Sequence, residues 1–343
     1  MNHGMIEAHE LTKVFRVRAT RPGLWGAVRG LFAAETTEVR ALDGVSFTVP
    51  AGERAAYLGV NGAGKSTTIK ILAGVLTPGS GRCLVAGREP REDRYAHARA
   101  IGVVFGHRTQ LWWDLPVADS FRILARLHDL PPAVAQDNLR LFDELLDLGE
   151  IADRPVRTLS LGQRMRAEVA AALFHDPAVL LLDEPTIGLD LLLKEAVHEL
   201  VNRVAAERGT TVLLTSHDVA DISAICERVV VVDAGRVVYT GRLHELLRQA
   251  PTRTVRLEYS ADLGAESLAG LLELELGGPG VAVTPVGRRR VTVQGPPELV
   301  TPQRVLAAVS GLVAVTDLVA PEPTLGEVLR ALYVAPELSR GRR

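Results

Sequence analysis

The stretch GVNGAGKST at residues 59–67 decides the fold of this chain of 343 residues. Its spacing, G-x-x-x-x-G-K-S, is that of a loop that binds phosphate groups. The apolar residues 55–58 before it predict a buried strand, and the apolar spacing in residues 66–76 predicts a helix. Glycines let a backbone approach a polyphosphate closely, and the N–H groups of the loop and of the helix N-terminus face the anion. Strand, loop and helix together favour a nucleotide site over a chance glycine-rich turn.

Two side chains of this loop extend the prediction. Lys65 is one of four lysines in a chain whose positive charge is nearly all arginine, so composition gives no reason for it. In this motif the lysine reaches the β- and γ-phosphates, and the next residue, Ser66, is a ligand of Mg²⁺. The predicted nucleotide contacts are Gly59, Asn61, Gly62, Ala63, Gly64, Lys65, Ser66 and Thr67.

Composition excludes several classes of protein. The net charge of −2 and the pI of about 6.5 argue against nucleic acid as a main partner, because a phosphate backbone calls for a basic face. No stretch approaches the ~18 consecutive apolar residues of a membrane span, and residues 1–10 lack the pattern of a signal peptide. Cys83 and Cys226 stand far apart, which predicts neither a disulfide framework nor a metal site.

The order of the predicted elements indicates two domains. Strands alternate with helices through residues 1–250, which predicts an α/β fold with a largely parallel sheet. Residues 115–178 read as mostly helical, so we expect a helical subdomain inserted into that fold. The pattern changes near residue 250, and residues 251–343 read as strand, helix, strand, strand, helix, strand and a last helix. That is a ferredoxin-like, α+β order.

One segment near the N-terminus has two readings. Residues 16–40 read as an insert, and apolar residues recur at helical spacing within 23–32. Such an amphipathic element could touch a membrane surface or a membrane partner. The alternative is a flap that packs on its own domain, as an apolar helical face commonly does.

A buried strand carries the next functional pair. The continuous apolar run at residues 179–182 is typical of a central parallel strand, and it ends in Asp183 and Glu184. Asp183 is placed to hold Mg²⁺. Glu184 points the other way, since neighbours on a strand alternate, and can polarise an attacking water.

A second anion site is predicted at residues 159–163, LSLGQ, which precede a helix predicted over residues 164–175. Ser160 is a favoured N-cap residue, and a helix N-terminus behind Ser and Gly favours an anion. A single bound nucleotide does not explain two anion-binding segments in one chain. Two copies of the chain explain them, if residues 159–163 of one copy cover the γ-phosphate of the nucleotide bound to the other copy.

With these motifs in hand, the chain resembles the ATP-binding-cassette (ABC) ATPases over residues 5 to about 243. Residues 103–107, 112–115 and 161–166 resemble a branch that serves ABC-2 type exporters. That branch has a comparable insert near the N-terminus and a C-terminal domain ending like residues 323–328. The matching segments are 59–66 (Walker A), 159–163 (signature), 179–184 (Walker B), 188–190 (D-loop) and 215–218 (switch histidine).

The resemblance implies a role for each residue that matches a family motif. Phe15 would stack on adenine, although a core phenylalanine is the alternative for this position. Glu184 would be the catalytic base and His217 the sensor of the γ-phosphate. The residues implied to complete the site are Ser160, Gly162 and Gln163, acting on the other copy's ATP, and Asp190 of the D-loop.

Three positions depart from the family pattern. Val60 replaces a proline and should be harmless, because backbone N–H groups do the binding. Leu161 replaces the first glycine of the signature pair but leaves Gly162. His107 stands where a glutamine normally links Mg²⁺ and the attacking water to the membrane partner, and Gln110 lies three residues on. Either residue could do this work, and titration of His107 predicts pH-sensitive coupling.

The family also implies an assembly. Two copies would sandwich two ATP molecules with Mg²⁺, drive a separate permease through Trp112, Trp113 and the helical subdomain, and reset on hydrolysis. The chain would then sit at the cytoplasmic face of the plasma (inner) membrane and export a lipophilic drug, a cationic toxin or a lipid. Alternatives are a non-transport ABC ATPase of translation or DNA repair and a nucleotide-sensing module. The former types carry two cassettes or a long coiled coil, which are not evident in this sequence.

Overall fold

The computed structural model describes residues 4–18, 36–106, 109–260 and 262–334. Residues 23–32 of the predicted amphipathic segment and His107 therefore lie outside the described residues. The chain divides into two units, Met1–Arg242 and Leu243–Arg343.

The first unit alternates strands and helices, as its sequence pattern predicts. In chain order its elements are β1 (Ile6–Arg18), β2 (Thr36–Val49), β3 (Arg54–Gly59), α1 (Lys65–Leu72), β4 (Ser80–Val85), α2 (Arg94–Ala100), β5 (Ile101–Phe105), α3 (Val117–Leu127), α4 (Pro132–Leu146), α5 (Leu161–Leu173), β6 (Val179–Asp183), α6 (Leu191–Arg208), β7 (Thr211–Thr215), α7 (Val219–Ile225), β8 (Arg228–Asp233) and β9 (Arg236–Arg242).

Two sheets organise this unit. Strands β2, β1 and β4 form an antiparallel sheet in that order. The main sheet has the order β5-β6-β7-β3-β8-β9, and its strands are parallel except for β9. The prediction of an α/β fold with a largely parallel sheet is therefore confirmed. Because β6, β7 and β3 are parallel neighbours, their carboxyl ends lie side by side at one edge.

Three helices end earlier than their sequence pattern predicts, among them α5, which ends at Leu173 rather than at residue 175. Helix α1 stops at Leu72 rather than at residue 76, because Gly74 adopts a left-handed conformation with φ of 71° and turns the chain. The sequence of residues 218–228 predicts a helix that ends at Arg228, but α7 stops at Ile225. Arg228 begins β8 and pairs with Ala55 of β3, so sheet pairing overrides the helical pattern there.

The inserted helices α3, α4 and α5 follow β5 and precede β6, together with short 3₁₀ turns at Leu148–Ile151 and Val156–Thr158. They pack through a buried aromatic cluster. Phe121 meets Phe174 edge to face, with ring centroids 5.0 Å apart, and Phe142 lies 6.4 Å from the same ring. Truncating one such ring to alanine costs about 3–5 kcal/mol, so this cluster fixes the helical subdomain.

The second unit has its own sheet and core. Its elements are α8 (Leu243–Leu247), β10 (Arg253–Ser260), α9 (Ala265–Leu276), β11 (Ala282–Pro285), β12 (Arg290–Gly295), α10 (Pro302–Val309), β13 (Ala314–Val319) and α11 (Leu325–Val334). The sheet is antiparallel with the order β11-β12-β10-β13. Alternate residues of β10, namely Val255, Leu257 and Tyr259, are buried in its core. Across the described part of the chain, no helix is both long and apolar enough to cross a membrane.

Candidate functional site

The loop between β3 and α1 has the shape that an anion requires. Gly64 is the N-cap of α1 and has φ of 101°; a Cβ added there would lie 2.5 Å from the carbonyl oxygen of Ala41. Glycine is therefore required on both conformational and steric grounds. Because Gly64 has no side chain, it cannot occupy the first amide groups of the helix, which stay directed toward a bound anion.

Lys65 adds a positive charge to this loop. Its Nζ donates hydrogen bonds to the carbonyl oxygens of Gly59, at 2.7 Å, and of Val60, at 3.3 Å. The ammonium group thus lies against the inside of its own loop, where a phosphate can replace the two carbonyl partners.

A carboxylate joins the loop helix to the neighbouring strands. The Ser66 hydroxyl donates to Oδ1 of Asp183 at 3.3 Å, and the Thr215 hydroxyl donates to the same oxygen at 2.6 Å. Asp183 and Thr215 are paired residues at the ends of β6 and β7. The two predicted Mg²⁺ ligands, Ser66 and Asp183, are therefore brought together by the sheet.

Glu184 and His217 form the adjacent pair. Nδ1 of His217 lies 2.7 Å from Oε2 of Glu184, and it donates because the carboxylate accepts. The backbone of Glu184 is left-handed, with φ of 56°, and its N–H donates to the Thr215 carbonyl at 3.0 Å. A residue other than glycine holds such a conformation only where its surroundings enforce it. Asp183 and Glu184 have different partners, as the alternation along a strand predicts.

The signature segment, residues 159–163, forms its hydrogen bonds with the helix that follows it. The Ser160 hydroxyl accepts from the Gln163 N–H at 3.2 Å, and the Gln163 side chain accepts from the Ser160 N–H at 3.1 Å, which is a complete capping box. Helix α5 begins at Leu161, three residues before its predicted start. Within the described ranges, no hydrogen bond connects these residues to loop 59–67. The phosphate-binding loop and the signature segment are therefore not joined within one chain.

The D-loop lies against the signature segment. A Cβ added to Gly188 would lie 2.5 Å from Cδ2 of Leu161, so the leucine occupies the space above that glycine. Asp190 caps α6, its carboxylate accepting from the Leu193 N–H at 2.9 Å. In this structure Asp190 therefore contacts its own helix.

Phe15 and Gln110 occupy more peripheral positions. Phe15 on β1 is 38% exposed, with the Lys13 ammonium 5.7 Å from its ring centre, so it is not the core phenylalanine of the alternative reading. The Gln110 side chain donates to the Glu168 carbonyl at 3.0 Å and is already engaged by helix α5. With His107 outside the described residues, pH-sensitive coupling through that histidine stays a prediction.

Two buried carboxylates were not singled out from the sequence. Glu168 of α5 accepts a hydrogen bond from the Thr109 hydroxyl and one from the Gln110 N–H, at 3.1 Å for the latter. Burial raises the pKa of the Glu168 carboxyl. The other is Asp221 of α7, which has no exposed surface. A lone acid within a helical pattern gives little signal, because it normally marks a solvated face.

Known proteins are similar to this chain in sequence and in fold. The family model described as "ABC transporter" matches residues 42–187. Over 228 residues the chain is 35% identical to "Nod factor export ATP-binding protein I" of Ralstonia nicotianae (strain ATCC BAA-1114 / GMI1000), covering 66% of this chain and 70% of that protein. This chain belongs to the ABC transporter ATP-binding family. As an ABC ATPase it binds and hydrolyses ATP.

Other relatives agree with this membership. The chain is 34% identical over 238 residues to "Daunorubicin/doxorubicin resistance ATP-binding protein DrrA" of Streptomyces peucetius, covering 69% of this chain and 72% of that protein. The solved "ATP binding subunit of ABC transporter" superimposes with a TM-score of 0.60 at 26% identity, over 71% of this chain and 92% of that one. A dimeric cassette bound to ADP and Pi shares the fold at a TM-score of 0.57 and 23% identity, over 69% of this chain and 98% of that one.

Proposed function

We propose that this ABC ATPase powers the membrane permease of an ABC-2 type exporter, a chain separate from this one. The observation that carries the proposal is the cluster at the edge of the main sheet, where Lys65, the Ser66–Asp183 contact and the Glu184–His217 pair meet. That cluster brings together a cation for the phosphates, two oxygen ligands for Mg²⁺ and a carboxylate to orient water, which are the parts that hydrolysis of a nucleoside triphosphate needs from this copy of the chain. Relatives of the chain are named for Nod factor export and for daunorubicin resistance, which supports export as its purpose.

The donor atoms fit a magnesium ion. Mg²⁺ prefers hard oxygen ligands and is held in such sites by one or two protein oxygens together with substrate phosphates. The hydroxyl of Ser66 and the carboxylate of Asp183 supply two oxygens 3.3 Å apart. When bound, the ion would neutralise charge on the β- and γ-phosphates. Lys65 would exchange its contacts with the loop carbonyls for contacts with the phosphates.

Glu184 and His217 divide the remaining work. Glu184 orients the attacking water and accepts its proton, since it directly follows Asp183 at the end of β6 and its carboxylate is held by His217. His217 holds the Glu184 side chain by its 2.7 Å hydrogen bond and, being 72% exposed at its side chain, can also meet a γ-phosphate. Phe15, exposed on β1, would supply the surface for the adenine ring.

The signature segment acts on a second copy of the chain. The start of helix α5 is formed by Ser160, Gly162 and Gln163. Among the described residues, no hydrogen bond joins them to loop 59–67 of the same chain, so they would complete the site of the other copy in a homodimer. Asp190 would join them from the D-loop. The assembly would meet its permease through the helical subdomain and the half-exposed Trp112 and Trp113, at the cytoplasmic face of the plasma membrane.

The second unit would be an accessory domain with a ferredoxin-like fold. The antiparallel order β11-β12-β10-β13 and the succession of strands and helices support this. Its role is to support the dimer or to regulate the ATPase. A net charge of −2 argues against nucleic acid as a partner of the whole chain.

Affinity purification from detergent-solubilised native membranes tests this proposal. The tagged bait is the Glu184→Gln variant, which should hold ATP, compared with a matched Lys65→Ala bait, which should not. A stoichiometric polytopic membrane protein recovered with both baits supports the exporter, and we expect ATP to change its yield only with Glu184→Gln. Recovery of ribosomal or DNA-repair proteins, with no membrane protein, would support the non-transport alternative.

A further inference from the structure

Asp221 is a fully buried carboxylate that the reaction described above does not use. It lies on α7, four residues after His217, and has 0% exposed surface. A carboxylate in such a position is costly unless its oxygens are hydrogen-bonded. Its partners therefore show what holds it there.

Those partners belong to the segments that carry the catalytic pair. The Thr186 hydroxyl donates to Oδ2 of Asp221, and the Ser216 hydroxyl donates to the same oxygen at 2.9 Å. Thr186 lies two residues after Glu184, and Ser216 directly precedes His217. One oxygen atom thus joins the chain just beyond Glu184 to the chain just before His217.

The other oxygen is tied to a helix. Nε2 of His198, on α6, lies 2.9 Å from Oδ1 of Asp221. Burial by itself would raise the pKa of Asp221, but the hydrogen bonds from its three partners outweigh burial and hold that pKa below the usual value. Asp221 is therefore a carboxylate at neutral pH and accepts from all three.

The backbone around His217 is fixed on its far side as well. The N–H of Asp218 donates to the Ser216 hydroxyl oxygen at 3.0 Å, and the Asp218 carboxylate pairs with Lys194 of α6 at 2.5 Å. The segment from Ser216 to Asp218 is thus held at one end by Asp221 of α7 and at the other by Lys194 of α6. His217 is the residue between them, so its backbone is fixed at the place from which its side chain reaches Glu184.

We propose that Asp221 is a positioning residue that sets the separation of Glu184 and His217. The inference rests on the roles proposed for those two residues. Glu184 is held in a left-handed conformation that needs support from its surroundings, and the Thr186–Asp221 contact supplies it from one side. A displacement of about 1 Å in a catalytic group can reduce the rate about 100-fold.

Steady-state ATP hydrolysis of the purified full-length chain tests this, with ATP binding and Tm measured on the same samples. Asp221→Ala should lower kcat about 10- to 100-fold and leave the Kd for ATP within about threefold, because the phosphate loop is untouched. Asp221→Asn should retain most of the activity. Its amide oxygen can still accept from Thr186 and Ser216, and its NH₂ group can donate to the other tautomer of His198.

Ile225→Ala is the matched control, since it removes a buried apolar side chain from the same helix and no hydrogen-bonding group. At an equal fall in Tm, the control should keep kcat within about twofold. Equal losses of kcat in Asp221→Ala and Ile225→Ala would overturn the proposal in favour of a general structural role. An unchanged kcat in Asp221→Ala would overturn it too.

Two milder variants keep the test open if Asp221→Ala does not fold. Thr186→Val and Ser216→Ala each remove one donor and should each lower kcat several-fold. Their combined effect should be smaller than the product of the two, because both act through one carboxylate. Independent, multiplicative effects would contradict a shared anchor. Glu184→Gln and His217→Ala are assayed in parallel. If these two variants retain ATP turnover, the roles proposed for Glu184 and His217 are wrong and this inference fails with them. If these two lose turnover while the Asp221, Thr186 and Ser216 variants keep it, only the inference is overturned.

Discussion

In the six-stranded sheet of the first unit, β6, β7 and β3 run parallel and end at one edge, whereas all neighbours in the four-stranded sheet of the second unit run antiparallel. The parallel edge therefore collects loop 59–67, the Asp183–Glu184 pair and His217. An antiparallel sheet sends successive strand ends to opposite edges, so it does not gather loops in this way. Strand direction decides where this chain can assemble a site.

The two units also differ in what they bury. Among the described residues, every buried polar or charged side chain apart from the tyrosines lies in the first unit. Asp221 and Glu168 are two of them, and each is held by hydrogen bonds to segments distant in sequence. The second unit buries aliphatic side chains and Tyr259. In the first unit the buried Thr186, Thr215, Ser216 and Asp221 lie next to the proposed catalytic residues, whereas the core of the second unit serves packing.

Among the tests of this comparison between the two units, the largest change in kcat is expected at Glu184. Glu184→Gln keeps the shape of the side chain and removes the base, so kcat should fall about 10²- to 10⁴-fold while ATP still binds. Phosphate release and equilibrium ATP binding measure the two quantities. Glu207→Gln on the exposed face of α6 is the control and should leave kcat unchanged. Brisk turnover by Glu184→Gln would refute its role as the base.

A smaller effect is expected at Asp183. Asp183→Asn keeps an acceptor for Ser66 and Thr215 but removes the negative charge, so the Mg²⁺ concentration for half-maximal activity should rise about 10- to 100-fold. A titration of activity against Mg²⁺ at saturating ATP measures it. If the half-maximal concentration does not move, Asp183 is a hydrogen-bond acceptor at the strand end and not a magnesium ligand.

Glu168 should affect stability more than turnover. In Glu168→Gln the amide oxygen can still accept from the Gln110 N–H, but the NH₂ group replaces the oxygen that accepts from the Thr109 hydroxyl, and losing that hydrogen bond to a charged group should cost about 1–3 kcal/mol. Because burial raises the pKa of Glu168 in the folded state, protonation favours folding as the pH falls through that raised pKa toward the usual value of 4.5. The wild type gains this stabilisation and the glutamine variant does not.

Urea unfolding of both proteins at neutral and mildly acidic pH checks the sign. The free energy of unfolding of the wild type minus that of Glu168→Gln should grow on acidification, and other titrating groups cancel in that difference. A difference that shrinks instead would show that Glu168 is stabilised as a carboxylate, against the effect of its burial. Turnover at neutral pH should change no more than a few-fold.

The sequence predicts the parts of this structure that rest on local pattern. Loop 59–67, the run into Asp183 and the strand–helix alternation follow from spacing and apolar periodicity. The end of α7 does not, because Arg228 belongs to β8 through its pairing with β3 and β9. Asp221 was missed for a related reason. Its partners Thr186 and His198 lie 35 and 23 residues away, and only the fold brings them to it.

The smallest effect on catalysis is expected in the second unit. Leu257→Ala removes a fully buried side chain from β10 and should destabilise that unit by about 2–5 kcal/mol. ATP hydrolysis by the full chain should stay within about twofold, because every residue assigned to the site lies in the first unit.

Leu200→Ala on α6 is the matched control: it removes the same volume from the first unit and should lower the thermal stability of the ATPase itself. Calorimetry, read together with ATPase activity measured below the unfolding transition, separates the two variants. If Leu257→Ala lowers kcat well beyond twofold below the unfolding transition, the second unit takes part in the reaction. The contrast between a six-stranded sheet that carries the site and a four-stranded sheet that only packs would then be wrong.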